Sequence, residues 1–169
     1  MKGGEKMHPM RRTDREVADK GEQQEILDRC EICRIGLCAD GEVYIVPLNF
    51  GYEFVDTDLV LYFHSATQGR KLDMVEKNPH VCFEMDCDTR LIPGQGCDFS
   101  YAYASLMGEG VIETLTHPKE KEHAFDMILR KYAGDNIFFY RDEDMERTCV
   151  LKLTVDWMTG KRHRVESTS

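Results

Sequence analysis

The sequence predicts a mainly β fold, a small antiparallel β-barrel carrying a few accessory helices. Six stretches read as strands and only three as helices. Asp40-Gly41, a tight-turn dipeptide, joins two of those strands directly, as in an antiparallel hairpin. The third observation is the last strand, CVLKLTVDWM, where apolar and polar residues alternate with the period of a half-buried strand.

Residues 1–20 hold six basic and four acidic side chains, a local charge of +2 that leaves −11 on the remainder, so they read as a polar arm. From Glu22, EQQEILDRCE places Ile26, Leu27 and Cys30 on one helical face. Ile35, Leu37 and Ala39 then alternate with Arg34, Gly36 and Cys38 as a strand does. After the turn, VYIVPLNF returns as a second strand. Pro47 has no N–H for a ladder, so it belongs at an edge, a bulge or a break in pairing. LVLYFH (59–64) reads as a buried strand ending in the polar loop SATQGRK. A brief helix over 69–77 follows and stops at Asn78-Pro79. HVCFEMD is a strand and IPGQGC a loop. YAYASLMGEGVIETL (101–115) is a long strand whose Gly108 and Gly110 mark a bend or bulge. Pro118 opens a helix with Phe125, Ile128, Leu129 and Tyr132 on one side, and Gly134 ends it. The main domain is placed at 21–162, with 163–169 as a tail.

At 169 residues the chain can bury a core without disulfides or metal. Lys and Arg number 22 against 31 Asp and Glu, and the resulting net charge of −9 argues against nucleic acid and membrane surfaces as partners. No apolar run approaches the length that crosses a bilayer, and the N-terminus lacks the apolar region of a secretory signal, so a cytoplasmic location is expected. Seven cysteines, an odd number, argue against a disulfide framework. Cys30-x2-Cys33, with Cys38 nearby, invites a zinc or redox reading. No second pair completes four ligands, and the motif joins a helix end to a strand start instead of opening a helix. Free thiols acting as small hydrophobes are the plainer reading. A thiol- or zinc-responsive module stays as an alternative.

Chemistry concentrates in YFHSATQGRKLD (62–73). A buried strand delivers His64 and Ser65 to its end, a small-residue loop follows, and Arg70-Lys71 opens a helix. Free N–H groups at a helix start, joined by a guanidinium and an ammonium, suit a phosphate dianion. A solvated basic pair is the alternative. His64 at a strand terminus can donate a proton, orient a ligand or bind a metal, with a simply hydrogen-bonded surface histidine as the alternative. His80, His117, His123 and His163 fall in other elements, so no metal site is expected. There is no GxGxxG, no GxxxxGK[ST] and no GxSxG. The Pro-interrupted VPLNFGY (46–52) would present backbone donors and acceptors beside Asn49, suiting the rim of a flat heterocycle; an ordinary edge strand entering a loop is the alternative.

MRRTDREV, VPLNFGY, YFHSATQGRKLD and YASLMGEG, in this order, resemble the pyridoxamine 5'-phosphate oxidase-like flavin-binding split barrels. Within them the chain is most similar to the branch of 5-nitroimidazole-resistance proteins, from about Met10 to about Lys161. The resemblance implies a six-stranded antiparallel split barrel with accessory helices, assembled as a homodimer with flavin at the subunit interface. It places the flavin phosphate on Arg70 and Lys71 and lines the cofactor with His64, Ser65 and Ala66. Pro47, Leu48 and Asn49 run beside the isoalloxazine ring, and Ser105 reaches the flavin, often from the other subunit. FMN is the expected cofactor, with FAD as the alternative. The implied activity is two-electron reduction of a small oxidised substrate such as a nitroaromatic, with His64 as proton donor or substrate orienter. A flavin or haem binder without turnover is the competing reading, His64 then serving as an axial ligand. The chain closes with WMTGKRHRVESTS and does not match the arginines and C-terminal motif that hold a vitamin B6 phosphate, so B6 oxidation is not expected.

Overall fold

The computed structural model describes residues 10–164. The expectations for 1–9 and 165–169, parts of the arm and the tail, lie outside the described residues. Asp40 and Gly41 both take positive φ, the conformation a two-residue hairpin turn demands, and join β2 (Cys33–Ala39) to β3 (Glu42–Leu48). Before them, α1 (Lys20–Arg29) starts on Asp19, whose side chain accepts the Glu22 N–H at 2.9 Å. The remaining strands are β4 (Phe50–Val55), β5 (Asp58–Ala66), β6 (His80–Ile92), β7 (Ser100–Leu115) and β8 (Thr148–His163). Helix α2 covers Arg70–Lys77 and α3 covers Pro118–Ala133.

All strands pair antiparallel in one sheet of order β3-β2-β6-β7-β8-β5-β4. The two edge strands of that order, β3 and β4, are consecutive in the chain and separated by Asn49 alone. Leu48 and Phe50 therefore lie within about 7 Å of each other, the reach of two residues. The sheet must curl until its edges meet at Asn49, yet no ladder joins them. This is a split barrel: Pro47, expected at an edge, a bulge or a break, lies in the edge strand β3 still paired with Arg34, and the split falls at Asn49. The six expected strands become eight because VYIVPLNF and its continuation divide at Asn49 and because a two-residue β1 (Glu16–Val17) pairs with Lys161 and Gly160 of β8. Val17 is buried there, so part of the predicted arm packs on the sheet. A five-residue α4 (Asp142–Glu146) also appears without a counterpart in the sequence reading.

Phe50, Phe63, Phe83, Leu61, Leu106 and Leu151 fill the inside of the curl. The bend expected at Gly108 and Gly110 is a bulge, with Asp156 of β8 as the extra residue between Trp157 and Val155. Carbonyls of Trp157 and Thr154 occupy the positions that β-carbons of those two glycines would need. On the outer face, Ala124 and Ile128 of α3 pack with Val60, Tyr62, Leu115 and Val150. That face differs from the expected one, since Leu129 is only half-buried and Tyr132 exposed. The helix is rotated to lie directly on Gly51.

Candidate functional site

Alternation along β5 sends Phe63 and Ser65 into the barrel and Tyr62 and His64 to the side covered by α3. Across the ladder, Ser65 and Ala66 pair with Cys149 and Thr148 at the start of β8. Where this strand end meets the split between β3 and β4, the surface opens into a groove of about 410 Å³. Six predicted residues line it: Pro47, Leu48, Asn49, His64, Ser65 and Ala66. Arg147 and Thr148 complete it, and neither was singled out from the sequence. Arg147 carried one usable signal, a basic side chain just before a strand, but which strand it would face depends on the β5–β8 register.

His64 leans on Phe125 of α3, ring centroids 6.2 Å apart, and Phe125 leans in turn on Tyr140 at 5.4 Å. Tyr140 is fixed by donating its hydroxyl to Asp126 at 2.7 Å. This aromatic wall was missed, because it needs α3 docked on the sheet. Burial, with the nearby Lys71 ammonium, holds the His64 imidazole below its ordinary pKa. At neutral pH it is therefore uncharged. The Ser65 hydroxyl donates to the Ala66 carbonyl at 2.7 Å.

At the start of α2, where a phosphate receptor was expected, the backbone offers free N–H groups but the two basic side chains differ in their engagement. Gly69 precedes α2 with φ +134° and ψ 164°, a region closed to β-carbon-bearing residues, and no side chain caps the helix. The Arg70 and Lys71 N–H groups therefore point out of the first turn. Lys71 forms no ion pair among the described residues. Arg70 reaches away from the groove instead, bonded to Glu42 at 3.0 Å and stacked over the Tyr44 ring at 4.7 Å. Glu42 is a strand neighbour only through the hairpin, so its competition for Arg70 was invisible to a local reading.

Ser105 is not brought to the groove within one chain. It pairs with Lys161, while the row that reaches His64 runs through Val150 to Leu115. Ten residues of β7 separate the two, about 30 Å of strand. A larger groove of about 840 Å³ lies at Ser105's end of β8 and contains none of the predicted residues. Its arginines are already matched: Arg12 and Arg15 with Asp14, Arg162 and Arg164 with Glu22. Cys30 and Cys33 are buried, with burial raising both thiol pKa values, whereas Cys38 is exposed, so the three do not converge. Among the described residues no helix is long and apolar enough to cross a membrane.

The family model for pyridoxamine 5'-phosphate oxidase matches residues 19–162. The chain belongs to the pyridoxamine 5'-phosphate oxidase family. Among solved structures, a candidate 5-nitroimidazole antibiotic resistance protein of Bacteroides thetaiotaomicron is 34% identical over 87% of this chain and 86% of its own, with a TM-score of 0.75. A flavocytochrome of Azotobacter vinelandii matches at 18% identity and TM-score 0.76, over 94% of this chain and 73% of its own. The FAD- and haem-binding protein of Mycobacterium smegmatis matches at 16% and TM-score 0.76, over 89% and 74%. At those identities the last two show the shared fold. No curated protein matches the sequence.

Proposed function

We propose that this member of the pyridoxamine 5'-phosphate oxidase family is a flavin-dependent reductase of a small oxidised substrate, with nitroaromatics as the substrate class. The observation that carries the reading is the groove itself: six residues that the family resemblance assigns to a flavin converge at the split of the barrel. The flavin, FMN by preference and FAD otherwise, supplies the electrons; the protein binds it, orients it and limits access. Lys71 and the uncapped start of α2 hold the phosphate, and Arg70 joins them by exchanging Glu42 for it. Pro47, Leu48 and Asn49 offer edge groups to the ring rim, while His64 faces the reacting side. A homodimer completes each site, since only a second copy can bring Ser105 to the groove. The 34% identity to the Bacteroides protein supports the nitroaromatic class.

A visible spectrum of the purified protein, with chromatography of whatever denaturation releases, tests this. Stoichiometric FMN or FAD and reduction of a nitroaromatic are expected; a colourless protein that refuses added flavin would overturn it. The second reading, a flavin or haem binder without turnover, draws on the names of the Azotobacter and Mycobacterium proteins. It predicts a Soret band or a flavin that no nitro compound reoxidises.

Gly69→Ala probes the phosphate receptor. A β-carbon there meets nothing within 4 Å, so any effect comes from the backbone alone. Holding Ala at this φ costs about 1–3 kcal/mol. The loop relieves that by turning the two N–H groups, and the flavin Kd is expected to rise about tenfold on fluorescence titration. An unchanged Kd would remove the start of α2 from the site.

A further inference from the structure

We propose that Arg147 is the substrate-recognition residue of this groove and that the preferred substrates carry a carboxylate. The inference rests on the reductase reading above, but on different residues. Arg147 lines the groove beside Asn49 and His64, and no acidic side chain lines it, in a chain with 31 acidic residues. Among the described residues its guanidinium forms no ion pair. The carboxylate that could neutralise it, Asp144, feels its charge but is held by Arg141 through two bonds, Nε at 2.7 Å and Nη2 at 3.1 Å. That bidentate pair engages both oxygens of Asp144, and Arg147 forms no side-chain hydrogen bond among the described residues, which leaves its planar donor set to the groove.

The chemistry selects a singly charged anion over a phosphate. Arg147, at the C-cap of α4, is the one cationic side chain lining the groove among the described residues, so it balances one negative charge and leaves a dianion half-neutralised. Phosphate has a better receptor at the opposite kind of terminus, the start of α2. One guanidinium with a neutral His64 alongside matches one planar carboxylate.

The flavin-loaded protein tests this with 4-nitrobenzoate and its neutral methyl ester, their Kd values read from the perturbed flavin absorbance. The acid is expected to bind about tenfold tighter than the ester, the worth of one charge-assisted pair in a partly exposed site. Arg147→Gln should abolish that preference with flavin content and ester affinity unchanged, and Arg147→Lys should restore part of it. Equal affinities in the wild type, or a preference that survives in Arg147→Gln, would overturn the assignment. Loss of flavin from Arg147→Gln would also overturn it, giving the guanidinium to the cofactor phosphate. If the wild type takes no flavin, the reductase reading fails separately. The same titration on the apoprotein, followed by the His64 proton NMR signals, still decides: a shift with 4-nitrobenzoate that Arg147→Gln lacks supports the site, and none overturns it.

Discussion

His64→Ala is expected to leave flavin bound, with a Kd within about twofold of wild type, while turnover on a nitroaromatic falls about a hundredfold, the lower end of what a positioned proton-handling group contributes. The two readouts separate because His64 faces α3 and the groove, whereas the proposed phosphate receptor is the start of α2. The loss should appear in kcat more than in KM if the imidazole acts on the reacting group. Unchanged turnover would take His64 out of the chemistry and leave it as a wall of the groove.

The charge state of His64 decides between its two roles. Burial and Lys71 depress its pKa below the ordinary 6.5, so the group is neutral at pH 7 and can donate one ring N–H as a hydrogen bond. Its folded pKa being the lower one, the stability it contributes is present above the ordinary value and lost as pH falls through the depressed one. The same sign applies to a role as orienter. Turnover should be level at neutral pH and decline in acid as a third cation forms beside Lys71 and Arg147, and His64→Ala should lack that limb. Turnover that instead rises toward acid, with the rise lost in His64→Ala, would make the residue a proton donor.

What the sequence shows and what it hides divide along locality. The Asp40-Gly41 turn and the edge position of Pro47 depend on a few adjacent residues, and each is found where the pattern places it, whereas β6 and β8 run on to Ile92 and His163, beyond the stretches HVCFEMD and CVLKLTVDWM. The location of the split is also local, since the two edge strands are consecutive in the chain. Arg147 and the Phe125–Tyr140 wall depend on register and docking between distant elements, which no local pattern carries. Arg70 shows the same limit from the other side. Its position beside the helix start is legible, but its partner Glu42 comes from across the hairpin. The rotated face of α3 has a cause that was printed in the sequence and not used: a glycine inside a strand marks a close backbone approach.

That glycine is the most sensitive backbone position on the α3 side of the sheet. Gly51 pairs with Tyr62 in the β4–β5 ladder, and its face lies against the backbone of Met127 and Ile128. A β-carbon at 51 would overlap the Met127 carbonyl group and the Ile128 nitrogen, and backbone cannot swing aside as a side chain can. The helix must lift, and its attachments oppose that. The Tyr132 hydroxyl accepts the Phe50 N–H at 3.1 Å and donates to the Glu31 carbonyl at 2.6 Å, and Lys131 donates to the Leu27 carbonyl at 2.7 Å. Gly51→Val is therefore expected to cost about 3 kcal/mol, the upper range for overpacking. For a chain of this length that lowers Tm by about 6–12 °C at fixed flavin concentration. Because α3 carries Phe125, the displacement should also release the His64 ring and raise its mobility on NMR relaxation. A melting curve superimposable on wild type would mean that α3 does not rest on this strand, and the aromatic wall of the groove would have to be withdrawn with it.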